Sequence, residues 1–387
     1  MSAAPTIHLD RLRDVALHPI GEKVRRGERL SAADAVTLFR TADLLGLGHL
    51  ADAVNRVHHG DVVTFASNQH INPTNVCVLR KTCVFCGYAR LPKEAGAYRY
   101  SIEQVLAEAA QATDSMTREF HIVGGLDMQA GLEYYSTMFR ALKAAHPQVH
   151  IKALTAVEIA HIARIEKMSW TDVLIALRAA GLDTMPGGGA ETFSAAVRDV
   201  IADKKLGGAD YINVHRAAHQ LGIRTNCTML YGHVETTADR VEHLTMLRDL
   251  QDDTHGFLAY IPLAYHPDDN ELGVTLGRQG TSTTGFDDLR NLAVGRLYLD
   301  NIAHIKSHWI MVSPSLTQVA LSFGVNDIEG TVVREKIYHA VGAQTKQGMS
   351  LDELLRLIRG AGKQPAERDS FYCIIRRFDD VSIGAAA

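Results

Sequence analysis

Between about residues 60 and 330 the chain alternates, roughly eight times, between short β-type apolar runs and longer amphipathic stretches. The runs are DVVTFASNQHINPTN (61–75), EFHIVGGL (119–126), VHIKALTAVEI (149–159), LDTMPGGGAE (182–191), GIRTNCTMLYG (222–232) and GFLAYIPLAY (256–265). HIKSHWIMVS (304–313) and QVALSFGVND (318–327) are weaker. Helical spacing appears between them, as in SIEQVLAEAAQATDS and ADRVEHLTMLRDLQDD. Strand alternating with helix predicts a parallel sheet, and the span suits an α/β fold of the (β/α)8 TIM-like barrel type. An open doubly wound sheet is the second architecture, weakened because no G-x-G-x-x-G follows the first strand. Residues 1–60 read as a helical extension with Ser31 as an N-cap, residues 61–330 as the barrel, and residues 331–387 as a C-terminal helix and tail ending in Ala-Ala-Ala.

Charge excludes some functions. Forty basic against 44 acidic side chains give a net charge of −4, with no basic footprint for nucleic acid. No apolar window is long enough for a membrane span. The N-terminal MSAAPTIHLDRLRD carries no secretory pattern, so a cytoplasmic location is expected.

In such barrels the C-terminal ends of the strands carry the chemistry, and the unusual residues of this chain cluster there. INPTN and three cysteines follow the first strand; Gly124-Gly125, Thr155–Glu158, PGGGAE, Tyr231-Gly232-His233 and His266-Pro267 follow the next five. The cysteines are Cys77, Cys83 and Cys86, spaced C-x5-C-x2-C, with Arg80 and Lys81 between the first two. A C-x2-C pair points both thiolates at one centre, and nearby positive charge favours thiolates. Three readings are open: a [4Fe–4S] cube with one iron left free, a non-redox Cys3His zinc site completed by His70 or another histidine, or inert buried thiols. The remaining cysteines, Cys227 and Cys373, read as structural. Nineteen histidines show no H-E-x-x-H spacing.

A three-cysteine loop after the first strand, with Phe85 before the last cysteine, resembles the radical S-adenosylmethionine (SAM) superfamily. The segments HIVGGL, KALTAVEI, PGGGAETF, HRAAHQLGIRTNCTMLYGHVET, FLAYIPLAYHP and SHWIMVSPSLTQVALSFGVNDIEGTVVREKIYHAVGA resemble more narrowly the futalosine-pathway enzymes of menaquinone biosynthesis. The aminodeoxyfutalosine synthase family is the closest pattern. Cyclic dehypoxanthine futalosine synthases and a deazaflavin synthase subunit share much of it. The chain departs from the pattern in its five-residue cysteine spacing and in Asp127-Met128, where a His-Pro pair is expected.

The resemblance implies that Cys77, Cys83 and Cys86 hold a [4Fe–4S] cluster whose open iron takes SAM. It implies addition of the 5′-deoxyadenosyl radical to the vinyl carbon of 3-[(1-carboxyvinyl)oxy]benzoate. Rearrangement and loss of bicarbonate would then give 6-amino-6-deoxyfutalosine. A flavodoxin or ferredoxin is the implied electron donor. Gly124 and Gly125 are expected to expose backbone to SAM, with Glu191 at its ribose, Tyr88 near the adenine, and Arg198 as a further cofactor-side cation. A substrate with two carboxylates calls for arginine forks, for which Arg216 and Arg224 are candidates. His233 and His266 are candidates for catalysis, and His266 also for substrate contact.

Overall fold

The computed structural model describes residues 5–111, 117–281 and 283–378. Eleven strands form one curled sheet: β1 (Val62–Phe65), β2 (Asn68–Ile71), β3 (Glu119–Ile122), β4 (His150–Ala153), β5 (Thr184–Met185), β6 (Arg224–Tyr231), β7 (Phe257–Ala264), β8 (His304–Ser307), β9 (Asp327–Ile328), β10 (Gln364–Arg368) and β11 (Ile374–Arg377). Their order is β11-β10-β1-β9-β8-β7-β6-β5-β4-β3-β2. Every pairing is parallel except β10 with β11.

β1 and β2 are two halves of one strand, interrupted only at Ala66-Ser67. The two ends of the run from β1 round to β2 therefore meet, and the sheet closes into a barrel. The seam is sealed by the chain after β9: Thr331 N–H donates to Ala66 O at 3.2 Å, Val333 N–H to Asn68 O at 3.4 Å, and His70 N–H to Val333 O at 3.2 Å. Helices pack their apolar faces on the outside, burying Ile159, Leu174, Leu244 and Leu292 among many others. Each such side chain contributes about 1.5–3 kcal/mol. The N-terminal helices pack on this layer, Leu44–His59 lying against Gly285–Tyr298. Ser31 caps the helix Ala32–Arg40 in a reciprocal box with Asp34. Among the described residues no helix is long and apolar enough to cross a membrane.

Most expected strands are shorter than their apolar runs, and three show where the chain turns to helix. In 149–159 the strand stops at Ala153, because Thr155 and Glu158 form a capping box that starts the helix Ala156–Glu166. In 304–313 it stops at Ser307, and a short helix, Trp309–Val312, follows. Most of 318–327 is the end of the helix Pro314–Ala320 and a turn, and only Asp327 belongs to a strand. The segment after 331 holds more than a helix. Beyond Leu351–Gly360, β10 pairs with β1 in parallel (Val62 opposite Gln364) and β11 pairs with β10. The sequence QPAER hid this strand because two of its four buried members, Glu367 and Arg368, are charged. The Ala-Ala-Ala tail lies outside the described residues.

Arg368 belongs to an ionic belt inside the barrel. Lys152 Nζ donates to Glu119 Oε2 at 2.6 Å, and Arg368 grips Asp327 at 2.6 and 3.0 Å. Lys306 Nζ lies 3.1 Å from Glu329. All six side chains are at most 4% exposed. Removing one member of such a pair leaves a charge in low dielectric without its partner, at a cost of about 3–5 kcal/mol. Lys152→Met is therefore expected to destabilise the fold by that amount in urea unfolding. The double variant Lys152→Met/Glu119→Leu is expected to recover most of the loss; no recovery would show that the pair is not a coupled unit.

Candidate active site

The loop after β2 carries the cysteines, and its own backbone bonds fix its course. Cys77 N–H donates to Arg90 O at 2.9 Å, Arg90 N–H to Asn75 O at 2.8 Å, and Val78 N–H to Leu126 O at 3.0 Å. The long first spacing is wound into turns: Arg80 N–H bonds Cys77 O, and Cys83 N–H bonds Leu79 O at 2.9 Å. The extra residues therefore lengthen the loop while Cys77, Cys83 and Cys86 still line one cavity of about 290 Å³. This cavity runs from the C-terminal rim into the barrel, and Glu335, Ile337, Tyr338 and Val341 also line it.

The three thiols are free. Burial pushes Cys83 up to about 12 and raises Cys77, opposed in both by the positive charge of Lys205. Thiols held this way become ligands when a cation replaces the proton. Sulfurs around one zinc ion stand about 3.8 Å apart, from a Zn–S bond near 2.3 Å. Among the described residues, the only group with its ligand atoms within 4.8 Å of one another is His70, His121 and Glu329, with no cysteine in it. The three cysteine sulfurs therefore do not all lie within 4.8 Å of one another, wider than one tetrahedral zinc ion would hold them. His70 does not complete a Cys3His set.

The cation beside the thiols differs from the expected ones. Arg80 is turned to Glu94 at 3.6 Å and half-buried, and Lys81 is exposed. Lys205, from the chain after the helix Ala195–Ile201, sits 5.4 Å from the centroid of the Phe85 ring and forms a short ion pair with Glu191. Glu191 is buried, lines the cavity and adopts a left-handed φ of 50°. Tyr88 lines the cavity too, its hydroxyl 2.6 Å from that of Tyr98.

Gly124 and Gly125 face the cavity, but packing explains why they are glycines. A Cβ on Gly124 would lie 2.8 Å from Thr74 O, and one on Gly125 only 2.2 Å from Val76 O. Absent side chains let this turn lie flat under the cysteine loop. Glu158 ties the same turn to the next helix. Its Oε1 accepts from Gly124 N–H at 2.9 Å, and Oε2 accepts from Thr155 N–H and Oγ1 at 2.7 and 2.8 Å. Asp127, in place of the expected histidine, is buried and accepts from Arg99 Nε at 2.6 Å and Gln129 N–H at 2.9 Å, anchoring the far side.

Several candidates lie elsewhere. Arg198 is buried but donates to the carbonyls of Ala190, Thr192 and Leu206, so it braces the PGGGAE loop from behind. Arg216 pairs with Asp253 on the outer surface at 3.0 Å. Arg224 is exposed at the first residue of β6, the opposite end of the barrel. His233 does not line the cavity; its Nε2 lies 3.1 Å from Leu230 O and its Nδ1 3.1 Å from Glu235. His266 does line it, with Nε2 3.1 Å from Met311 O. Cys227 is buried, its Sγ 3.6 Å from Ala259 O, and Cys373 is exposed.

No arginine lines the cavity among the described residues; its cations are Lys205 and Lys306. His70, His121, His308, Lys306 and Glu329 fill its deep end. No motif in the sequence joined these five, because they come from β2, β3, β8 and the residues just after β8 and β9.

Burial pushes Glu158 up to about 7, against the bonds it accepts. A carboxyl whose folded pKa exceeds its unfolded value contributes stability below about pH 4.5 that is lost as pH rises through about 7. The wild type is therefore expected to lose a few kcal/mol between those pH values relative to Glu158→Gln, whose profile should be flatter. Parallel urea titrations from pH 4.5 to 8 measure this, and identical profiles would remove Glu158 as the cause.

Comparison with known proteins accords with the geometry. Residues 71–247 match the radical SAM superfamily, and residues 254–379 match the CofH/MqnC C-terminal region. The aminodeoxyfutalosine synthase of Thermus thermophilus is 45% identical, over 96% of this chain and 99% of that protein. The cyclic dehypoxanthine futalosine synthase of Streptomyces coelicolor is 36% identical, over 92% and 88%. The crystal structure of methylornithine synthase superposes with a TM-score of 0.71 at 17% identity, covering 90% of this chain and 97% of that one, which speaks for the fold alone. With three thiols facing one closed barrel cavity, the chain belongs to the radical SAM superfamily, whose members use a [4Fe–4S] cluster and SAM, and within it to the family that holds the aminodeoxyfutalosine synthases.

Proposed function

We propose that this chain is an aminodeoxyfutalosine synthase. In this reading it joins the adenosyl part of SAM to 3-[(1-carboxyvinyl)oxy]benzoate, with loss of bicarbonate. The observation that carries the reading is 45% identity along almost the whole of both chains to a protein of that name, against 36% to the cyclase. Cys77, Cys83 and Cys86 would hold the cluster. When bound, it supplies the one-electron cleavage of SAM.

The chain's own residues position and shield. Glu191 offers a buried carboxylate to ribose hydroxyls, and its pairing with Lys205 holds it at the cavity wall. The 124–125 turn, fixed by Glu158, sets the floor beside the cysteine loop. Ile261, Leu263, Val157 and Ile337 give the cavity apolar walls, and Tyr338 beside His266 lies over them, ring centroids 5.8 Å apart. Such walls keep water and hydrogen donors from a reactive carbon. His266 has one nitrogen committed to Met311 O, leaving the other edge of the ring for a ligand. The reading also places the reaction in the cytoplasm, with a small flavodoxin- or ferredoxin-type protein supplying the electron.

Two measurements test it. Anaerobically reconstituted protein is expected to hold about four irons per chain, to lose them in Cys83→Ala and to keep them in Cys227→Ala; tightly bound, colourless zinc in place of iron would contradict the cluster. With ribose-labelled SAM, a strong reductant and the enol ether, label is expected in a product of the mass of 6-amino-6-deoxyfutalosine. Label appearing wholly in 5′-deoxyadenosine, with a cyclic product from dehypoxanthine futalosine, would move the chain to the cyclase activity.

A further inference from the structure

The deep end of the cavity holds a ligand set that the cluster does not use. His70 on β2 and His121 on β3 are direct partners in the parallel register of those strands, which brings their rings to 4.5 Å between centroids. Glu329 follows β9, whose continuation bonds β2 across the barrel seam. Three backbones joined by hydrogen bonds therefore present two imidazoles and a carboxylate to one point, with ligand atoms all within 4.8 Å of one another. His70 Nε2, 3.8 Å from Glu329 Oε1, is beyond hydrogen-bond reach of it. That nitrogen, His121 Nδ1 and His308 Nδ1 are buried without a hydrogen-bond partner, and His70 is only 8% exposed. Unpaired buried nitrogens of this kind are costly unless something fills the space between them.

We propose that His70, His121 and Glu329 bind one divalent first-row transition ion of the zinc or ferrous class, at a site separate from the three-cysteine loop. Two imidazoles and one carboxylate are a donor set that such ions take, with coordination positions left open toward the cavity. The carboxylate is already oriented: Lys306 holds Oε2 at 3.1 Å, while Asn68 Nδ2 donates to Oε1 at 3.2 Å. Partners of this kind fix the direction of a ligating oxygen.

The charge balance gives the ion a task, and this part rests on the proposed function. The cations lining the cavity are Lys205 and Lys306, each already paired with a carboxylate, Glu191 and Glu329 respectively. A substrate with two carboxylates would enter with nothing to neutralise it. A divalent ion beside Glu329 supplies two positive charges and open positions for a carboxylate oxygen.

The test is zinc uptake by the reconstituted holoenzyme, dialysed anaerobically against zinc chloride and read by elemental analysis. One zinc per chain is expected beside an unchanged iron count. Glu329→Gln and His121→Phe are expected to bind it at least tenfold more weakly while keeping their iron. If either variant fails to fold, zinc-edge X-ray absorption on the wild type still decides: nitrogen and oxygen neighbours at about 2.0–2.2 Å support the site, and sulfur at about 2.3 Å places the ion at the cysteines. No zinc uptake, sulfur neighbours, or zinc lost in Cys83→Ala but kept in Glu329→Gln would each overturn it. So would a raised KM in His121→Phe without zinc uptake by the wild type, since the imidazoles would then bind the substrate directly. Failure of the labelling experiment leaves the zinc result standing, so the two readings fall separately.

Discussion

The charges buried inside the barrel hold its seam. Asp327 accepts from Arg368 on β10 and from Thr64 on β1, and Lys306 on β8 lies 3.6 Å from it. Glu119 on β3 is bonded by Lys152 on β4 and by Ser370 just beyond β10. Five strands are thus cross-linked by ion pairs in addition to their ladders. Hydrophobic side chains of similar volume would hold such a core equally well or better. What the ions add is direction: each accepts or donates along one line, so the last strands can dock in one register only.

That register sets the site. Closure of β9 against the strand from Val62 to Ile71 brings Glu329 beside His70, and the pairing of β2 with β3 places His121 next to it. The same belt therefore ends in the cavity, through Lys306 and Glu329. Structure and site are not separate layers here, since the cation that balances the core is also a cavity wall.

Above the belt, the rim is assembled by contacts between loops. Glu158 joins the turn after β3 to the helix after β4, Arg198 gathers three carbonyls around the glycine loop after β5, and Gly187 lies so close to β6 that a Cβ would stand 2.6 Å from the Cα of Cys227. The glycines serve this close stacking first, and the smooth floor they leave is what a cofactor can approach. Lys205 and Glu191 place one buried charge pair beside the thiols, in a region otherwise walled by Phe85, Leu79 and Leu230.

Local signals carried much of this in the sequence. Strand and helix periodicity announced a barrel, the Ser31 N-cap announced its helix, and three cysteines after the first strand announced the centre, because each is a pattern of neighbours along the chain. Thr155-x-x-Glu158 was equally local, yet its apolar company read as strand. The two C-terminal strands escaped because β10 buries the charged Glu367 and Arg368, and β11 is exposed along its whole length. Arg198, Arg216 and Arg224 are of the residue type that a dicarboxylate calls for, but type does not say which way a side chain faces. Residue kinds and their spacing thus indicated the architecture and gathered the three thiols, while the cluster chemistry came with the family resemblance. Tertiary structure alone decided that Lys205 is the cation beside the thiols and that His70, His121 and Glu329 meet, because strand register and barrel closure join residues that no separation along the chain connects.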